Sequence, residues 1–345
     1  MISIVIPCLN EGAFIDQTIS SLLHSEDPGE PWEVIVVDGG STDGTREQLT
    51  NWAAAEGKVG WLDNPNRVTP VAMNIGIQAA KGDHVLILGA HSEVHPSFLR
   101  RNAEAMRSHP ESACVGGVVE QVHGSASARR IGAALSTPFG VGDARFRTGG
   151  PPGHVDTVAF GCYRKAALAE IGGFDEDLVR NQDDELNFRL TEAGWRIWFD
   201  PRIRSRYHVR SSFANLYRQY HQYGYWKVFV NRKHKTITTW RQTIPALFIL
   251  SLAVTAGWWL LDSLGFVGEA WTGVGRSLHL SMLALWVIGA VGSAWSVAAS
   301  RKDIAGVVRA FLWIHMGYGW GYLSGIGRFL ILQAAPPEKA GELTR

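Results

Sequence analysis

Two stretches near the C-terminal end constrain this chain more than any other feature. Residues 243–261 (TIPALFILSLAVTAGWWLL) and 278–300 (LHLSMLALWVIGAVGSAWSVAAS) carry no charged side chain. Each is close to the ~20 apolar residues an α-helix needs to cross a bilayer. A third stretch, 310–327 (AFLWIHMGYGWGYLSGIG), lies between Arg309 and Arg328 and is rich in glycine and aromatic residues. It suits a third span or a re-entrant or interfacial helix, and a buried soluble helix is the alternative for all three. Trp258, Trp259 and Trp271 stand near the run ends, where indole rings favour headgroup depth. Arg232, Lys233, Lys235 and Arg241 precede the first run, and Arg301, Lys302 and Arg309 separate the second from the third. Between the first and second the only basic residue is Arg276. The positive-inside rule therefore predicts a multi-pass protein whose N-terminal region and 301–309 loop face the cytoplasm.

The rest of the chain is a different material. Of 33 basic and 32 acidic side chains only twelve fall at or beyond residue 242, so charge density drops from roughly 22% to roughly 12% there. Nine of the fourteen tryptophans lie at or after Trp226. A net charge of +1 excludes a general nucleic-acid binder, and the apolar fraction of 46% excludes disorder. Cys8, Cys114 and Cys162 are too widely spaced for a cysteine zinc site and odd in number for a disulfide scaffold. Reduced cysteines suit the cytoplasmic side. The start, MISIVIPCLN, shows neither the basic nor the long apolar segment of a cleaved signal.

The first 200 residues alternate strands and helices. Met1–Pro7, Trp32–Val37, Val59–Leu62 and His84–Leu88 read as short apolar strands, and Thr69–Ala80 has helical spacing. Polar or glycine-rich loops follow the strands (LNEG, DGGSTDGT, GAHSEVHP), which predicts a doubly wound parallel sheet with its ligand at the carboxyl strand ends. Asp38 closes the second strand, as a ligand contact or a turn former, and Asp43 is placed to cap the next helix. His91, Glu93 and His95 alternate after Leu88, a spacing open to divalent-metal ligation or to a solvated loop. For His95, before Pro96, the loop reading is preferred. Asp183, Asp184 and Glu185 fall at a predicted helix start, where the dipole favours carboxylates. Helical spacing turns neighbours about 100° apart, so one of them is the plausible base and the others cap or face solvent.

PCLNEG (7–12) with VVDGGSTDGT (36–45) resembles the family 2 glycosyltransferases of GT-A fold. DTVAFGCYRKAAL and IGGFDEDLVRNQDDELNFRLTEAGWRIWFDP (within 156–201), then RSSFANLYRQYHQYG (210–224), resemble the bacterial succinoglycan-type exopolysaccharide enzymes. The resemblance implies a GT-A, Rossmann-like nucleotide-sugar domain over 1–210 and a C-terminal transmembrane region. It places Pro7, Asn10, Glu11, Asp38, Arg67 and Ala90 at the donor nucleotide, with Asp38 on the base and Arg67 near the diphosphate. GAHS (89–92) falls on the family's DxD motif, with Gly89 where the first aspartate is usual and His91 where the metal ligand is usual. His208 lies near where such enzymes supply a second metal-binding histidine. RNQDDEL falls on xEDxEL, with Gln182 replacing the glutamate and Asp183 on the general base. Gln219, Tyr223 and Trp226 fall at an acceptor-side interfacial motif.

Together these imply an inverting transfer of a sugar from a nucleotide sugar, a UDP-sugar by the resemblance, to a hydroxyl of a polyprenyl-linked saccharide. A divalent cation would assist the leaving diphosphate, and two histidine ligands suit Mn²⁺ better than Mg²⁺. Aromatic residues between 213 and 229, interleaved with basic ones, predict an amphipathic interfacial segment over 211–241. About three hydrophobic helices over 242–332 and a polar tail over 333–345 follow. The expected partners are the donor, the lipid-linked acceptor and membrane lipids, at a bacterial inner membrane. Transfer to polyprenyl phosphate itself and a non-catalytic assembly component are the rival readings, the latter kept open by Gly89 and Gln182.

Overall fold

A computed structural model describes residues 1–208 and 212–336, the side chain of His208 excepted. The described residues divide into two compact units, Met1–Val122 with Asp143–His208, and His123–Gly142 with 212–336.

In the first unit the strands are β1 (Ile2–Cys8), β2 (Trp32–Asp38), β3 (Val59–Asp63), β4 (His84–Ile87), β5 (Ser92–Val94), β6 (Ser112–Val122), β7 (Gly153–Val155), β8 (Ala159–Arg164) and β9 (Arg196–His208). Helices α1 (Ile15–Leu23), α2 (Thr45–Ala55), α3 (Thr69–Ala79) and α4 (Phe98–Ser108) connect the early strands. Among the described residues the strands form one sheet in the order β3-β2-β1-β4-β8-β6-β9-β5, with β7 on β9. Strands β3, β2, β1 and β4 are parallel. Ile4, Ile6, Val34 and Leu86 feed a core that includes Ile15, Ile19 and Phe98, whereas Val5, Ile35, Val37 and Val85 join Ala72, Leu186 and Leu190. Alternate residues thus serve opposite faces, and the strand is apolar throughout because both faces are covered.

The predicted parallel sheet is half of what forms. β8 runs antiparallel to β4 and β6, and β5 and β7 run antiparallel to β9, so the sheet is mixed. Strand β9 (RIWFDPRIRSRYH) contains Pro201 and four arginines and lacks the apolar alternation that marks a strand. Its pairing with β6 shifts register between Gly116 and Val118, which accommodates the proline.

The second unit holds α5 (Ala126–Leu135) and α6 (Pro138–Val141). Two short helices of the first unit follow, α7 (Arg145–Thr148) and α8 (Lys165–Ile171), with the longer α9 (Gln182–Glu192). The second unit resumes with α10 (Phe213–His234), α11 (Ile244–Ser263), α12 (Val274–Val297) and α13 (Ile304–Gly325). α10 and α13 pack along one another at backbone distance. A Cβ on Gly224 would collide with the Tyr318 carbonyl oxygen, and one on Gly321 with that of His221. His315 of α13 accepts the Trp286 indole N–H (2.9 Å) and lies 2.8 Å from the Phe139 carbonyl through Nε2, tying α12, α13 and α6 together. Arg130 of α5 donates to Asp303 at 2.8 Å.

The stretches Trp240–Ser263 and Glu269–Val297 are long and apolar enough to cross a membrane, and only 17% and 11% of their apolar windows are buried. A soluble core helix would be mostly covered. Leu247, Leu250, Val254, Leu285 and Ile288 instead face outward. α13 begins six residues before the predicted 310–327 run and buries Val307, Phe311 and Ile314.

Candidate active site

The carboxyl ends of β1, β2 and β4 lie side by side, and the loops after them carry most of the candidate residues. Pro7 is opposite Val37 and Cys8 opposite Asp38 in the parallel register. Asn10, at φ +54°, donates its backbone N–H to Ser41 Oγ at 2.7 Å and accepts the Thr42 N–H on Oδ1 at 2.8 Å. The Glu11 N–H reaches Thr45 Oγ1 at 3.0 Å, and the Gly12 N–H reaches Asp43 Oδ2 at 3.0 Å. These bonds clip the β1 loop to the β2 loop. Asp43 therefore bridges the two loops while also receiving the Thr45 N–H and hydroxyl.

Asp38 is fully buried. Its oxygens accept the Gly40 and Ser41 N–H groups (both 3.0 Å), the Ser41 hydroxyl and the Arg46 Nε–H (2.7 Å). Burial alone would raise its pKa, but the Ser41 and Arg46 bonds outweigh it and hold the carboxyl below its usual range. A carboxylate has about four acceptor positions, and these donors fill them. Asp38 thus organises the turn that a nucleotide base would meet, and a base contact through its side chain requires displacing Ser41 or Arg46. Arg46 also pairs with Asp63 and sits 5.2 Å from the Trp61 ring centroid. Register explains this link, since Asp38 and Asp63 are partners on β2 and β3 and one guanidinium serves both. Sequence reading passed over Arg46. Its signal was an arginine in the first turn of the helix that links two strands each ending in an aspartate. Arg67 follows at φ +59°, in a turn held by Asn64, whose side chain accepts the Asn66 N–H.

After β4, the Ala90 carbonyl accepts the Thr18 hydroxyl at 2.8 Å, which docks the GAHS turn on α1. His91 Nδ1 lies 3.4 Å from Glu11 Oε1, and its ring packs against Tyr207 (5.3 Å) and Phe14 (6.3 Å). A Cβ on Gly89 would stand 3.1 Å from Ser92 Oγ and 3.3 Å from Phe160, so the missing carboxylate also has little room. Phe160 itself has φ +51°, a conformation a bulky side chain seldom adopts. Glu93 pairs in β5 and His95 is exposed with Ser97 Oγ 3.2 Å from its ring, as the loop reading expects.

The three acids of α9 separate cleanly. Glu185 is 1% exposed and bound twice by Arg189 (2.8 and 2.7 Å). Arg189 also donates to the Ile171 and Gly173 carbonyls. Asp184 is half-buried, whereas Asp183 is exposed and accepts the Asp184 N–H at 3.0 Å. Gln182 donates to the Val179 carbonyl, capping no acid. In the second unit Gln219 donates to the Tyr223 hydroxyl at 2.7 Å, and Trp226 is buried against Phe229 and Phe329. The side chain of His208 lies outside the described residues.

Among the described residues no three His, Cys, Asp or Glu side chains converge as a metal shell. His91 and Glu11 together supply one nitrogen and one carboxylate, which fits a cation only if diphosphate oxygens and water complete its shell.

Residues 3–172 match the family described as glycosyl transferase family 2. The succinoglycan biosynthesis protein ExoA of Rhizobium meliloti is 30% identical over 314 residues, 87% of this chain and 94% of that protein. The chain belongs to glycosyltransferase family 2. This family 2 glycosyltransferase is also 30% identical, over 74% of its length and 82% of the relative's, to a Methanococcus voltae enzyme. That enzyme is named dolichyl N-acetyl-alpha-D-glucosaminyl phosphate 3-beta-D-2,3-diacetamido-2,3-dideoxy-beta-D-glucuronosyltransferase. Among solved structures, the mannosyltransferase PcManGT of Pyrobaculum calidifontis, in complex with GDP-Man and Mn²⁺, superposes with a TM-score of 0.55 at 14% identity. The match covers 94% of this chain and 86% of that one. The GT-A fold of the glycosyltransferase is thereby established, and the chain is an enzyme.

Proposed function

We propose that the protein is a membrane-anchored inverting glycosyltransferase that moves a sugar from a nucleotide sugar, a UDP-sugar, to a hydroxyl of a polyprenyl-linked saccharide. The observation that carries this reading is the separation of the α9 acids. Glu185 is paired with Arg189, and Asp183 stands on the exposed first turn, where a carboxylate can meet an acceptor hydroxyl. The lipid-linked acceptor is supported by the Methanococcus voltae relative, whose named acceptor is a saccharide on dolichyl phosphate.

In this mechanism the clipped β1 and β2 loops seat the nucleotide, with Asn10 and Arg67 held in the left-handed backbone region that presents their loops to it. Asp183 takes the proton from the acceptor hydroxyl as that oxygen attacks the anomeric carbon from the face opposite the leaving group. The glycosidic C–O bond to the diphosphate breaks, and the nucleoside diphosphate leaves with the bonding pair. A divalent cation, Mn²⁺ in preference to Mg²⁺, would be held by His91 with Glu11, with His208 as a further candidate. When bound it offsets the charge on the leaving diphosphate. The two apolar helices anchor the enzyme where a lipid-linked acceptor is found.

The test is transfer by the purified full chain in nanodiscs, with UDP-, GDP- and dTDP-sugars, with and without Mn²⁺. Asp183→Asn is expected to keep donor binding while turnover falls about 10²-fold or more. Wild-type turnover in that variant would remove Asp183 as the base and favour transfer to polyprenyl phosphate, an acceptor already ionised.

A further inference from the structure

The corner between α12 and α13 combines features that the transfer reaction does not use. Leu285, Ile288, Gly292 and Trp295 recur at i, i+3, i+7 and i+10 along α12 and form one strip. Leu285 and Ile288 are exposed, as is Trp295 at 61%, and nothing approaches a Cβ position at Gly292. The strip ends in charge. The Arg301 guanidinium lies 5.5 Å from the Trp295 ring centroid, and Lys302 is exposed beside it. Asp303, next along the chain, is spent elsewhere. It accepts Arg130 Nε at 2.8 Å and the Ser300 hydroxyl at 2.9 Å, with Arg129 3.7 Å away and half-exposed. Among the described residues Arg301 and Lys302 make no ion pair.

An outward apolar strip capped by an indole and unpaired cations matches the section of a bilayer leaflet. Hydrocarbon meets the strip, the ring sits at the interface, and the cations meet phosphate. We propose that this corner binds an anionic phospholipid, its phosphate on Arg301, Lys302 and Arg129 and one acyl chain along Leu285, Ile288 and Trp295. The inference rests on the membrane-anchored reading above but not on the transfer reaction. The opposite end of the α11–α12 pair carries Asp262 and Glu269 beside Arg276, a mixed charge that offers no comparable site.

The experiment is native mass spectrometry of the full chain, purified in detergent with equal phosphatidylglycerol and phosphatidylcholine and no sugar donor. Wild type and Arg276→Gln should retain phosphatidylglycerol selectively. R301Q/K302Q should lose about tenfold of that preference, and the charge-conserving R301K/K302R should keep it. Thermal unfolding of R301Q/K302Q at the wild-type temperature separates lost binding from lost fold. Equal retention of both lipids by wild type, or undiminished selectivity in a folded R301Q/K302Q, would overturn the proposal. So would displacement of phosphatidylglycerol by an equal amount of polyprenyl diphosphate, which would assign the corner to the acceptor. Because no turnover is read, a failure here leaves the transferase reading to its own test.

Discussion

Asp38 and Glu185 are both buried carboxylates, yet they act on the site differently. Asp38 has its pKa lowered in the fold, so the unfolded chain binds the proton more readily. The stability it contributes is therefore present above the usual carboxylate range and lost as pH falls through its lowered value. Asp38→Asn should lower stability at neutral pH by about 1–3 kcal/mol and flatten the acid limb of the unfolding curve, read by thermal melts between pH 7 and pH 3. Glu185 acts through Arg189, which grips the end of α8 and the following turn and so sets where α9 begins. Glu185→Gln is expected to lower kcat while KM for the donor stays near wild type, because Asp183 shifts and the nucleotide loops do not. A KM rise at constant kcat would assign the clamp to donor binding instead. The positions of Asp38 and Asp183 were legible in the sequence because each stands at the end of a regular element. The roles of Arg46 and Tyr207 were not, since each depends on register between separate strands.

At the level of elements, the parallel half of the sheet was readable to within a residue or two, because each strand buries both faces and is apolar throughout. Strand β9 was hidden by charge and proline, and the stretch around 123–142 showed no pattern at all. Its helices group with those of the second unit, where Ile131, Ala134 and Leu135 are buried beside Phe311 and Ile314. Short apolar patches of this kind have meaning only once their partner is present. The α10–α13 pair makes the same point through size. Glycine at 224 and 321 is set by the carbonyl oxygens opposite, which no local rule of helix propensity anticipates. Gly321→Val should therefore cost at least about 1–3 kcal/mol by overpacking, seen as a lowered melting temperature in detergent. Gly257→Ala on α11, where nothing approaches a Cβ, should leave it unchanged or raise it. Equal melting of Gly321→Val and wild type would mean that the two helices do not pack at backbone distance.

For the whole molecule the decisive question is which side of the bilayer carries the catalytic half. As the membrane-crossing pair proposed above, α11 and α12 would place the start of α11 and the end of α12 on one side and the 264–273 connection on the other. The first side carries Arg232, Lys233, Lys235 and Arg241 with Arg301, Lys302 and Arg309, and the second only Arg276 beside Asp262 and Glu269. The positive-inside rule would keep the basic side in the cytoplasm, where the proposed nucleotide-sugar donor is made. The three native cysteines are buried, which gives a low background for thiol labelling. A membrane-impermeant maleimide should label Gly268→Cys in intact cells and Ala305→Cys only after lysis; both positions are exposed or partly so and neither belongs to the catalytic set. The reverse pattern would place the β1 and β2 loops outside the cell, away from any nucleotide sugar, and the proposed donor would fall with the orientation. Labelling of both positions in intact cells would mean that α11 and α12 do not form a membrane-crossing pair.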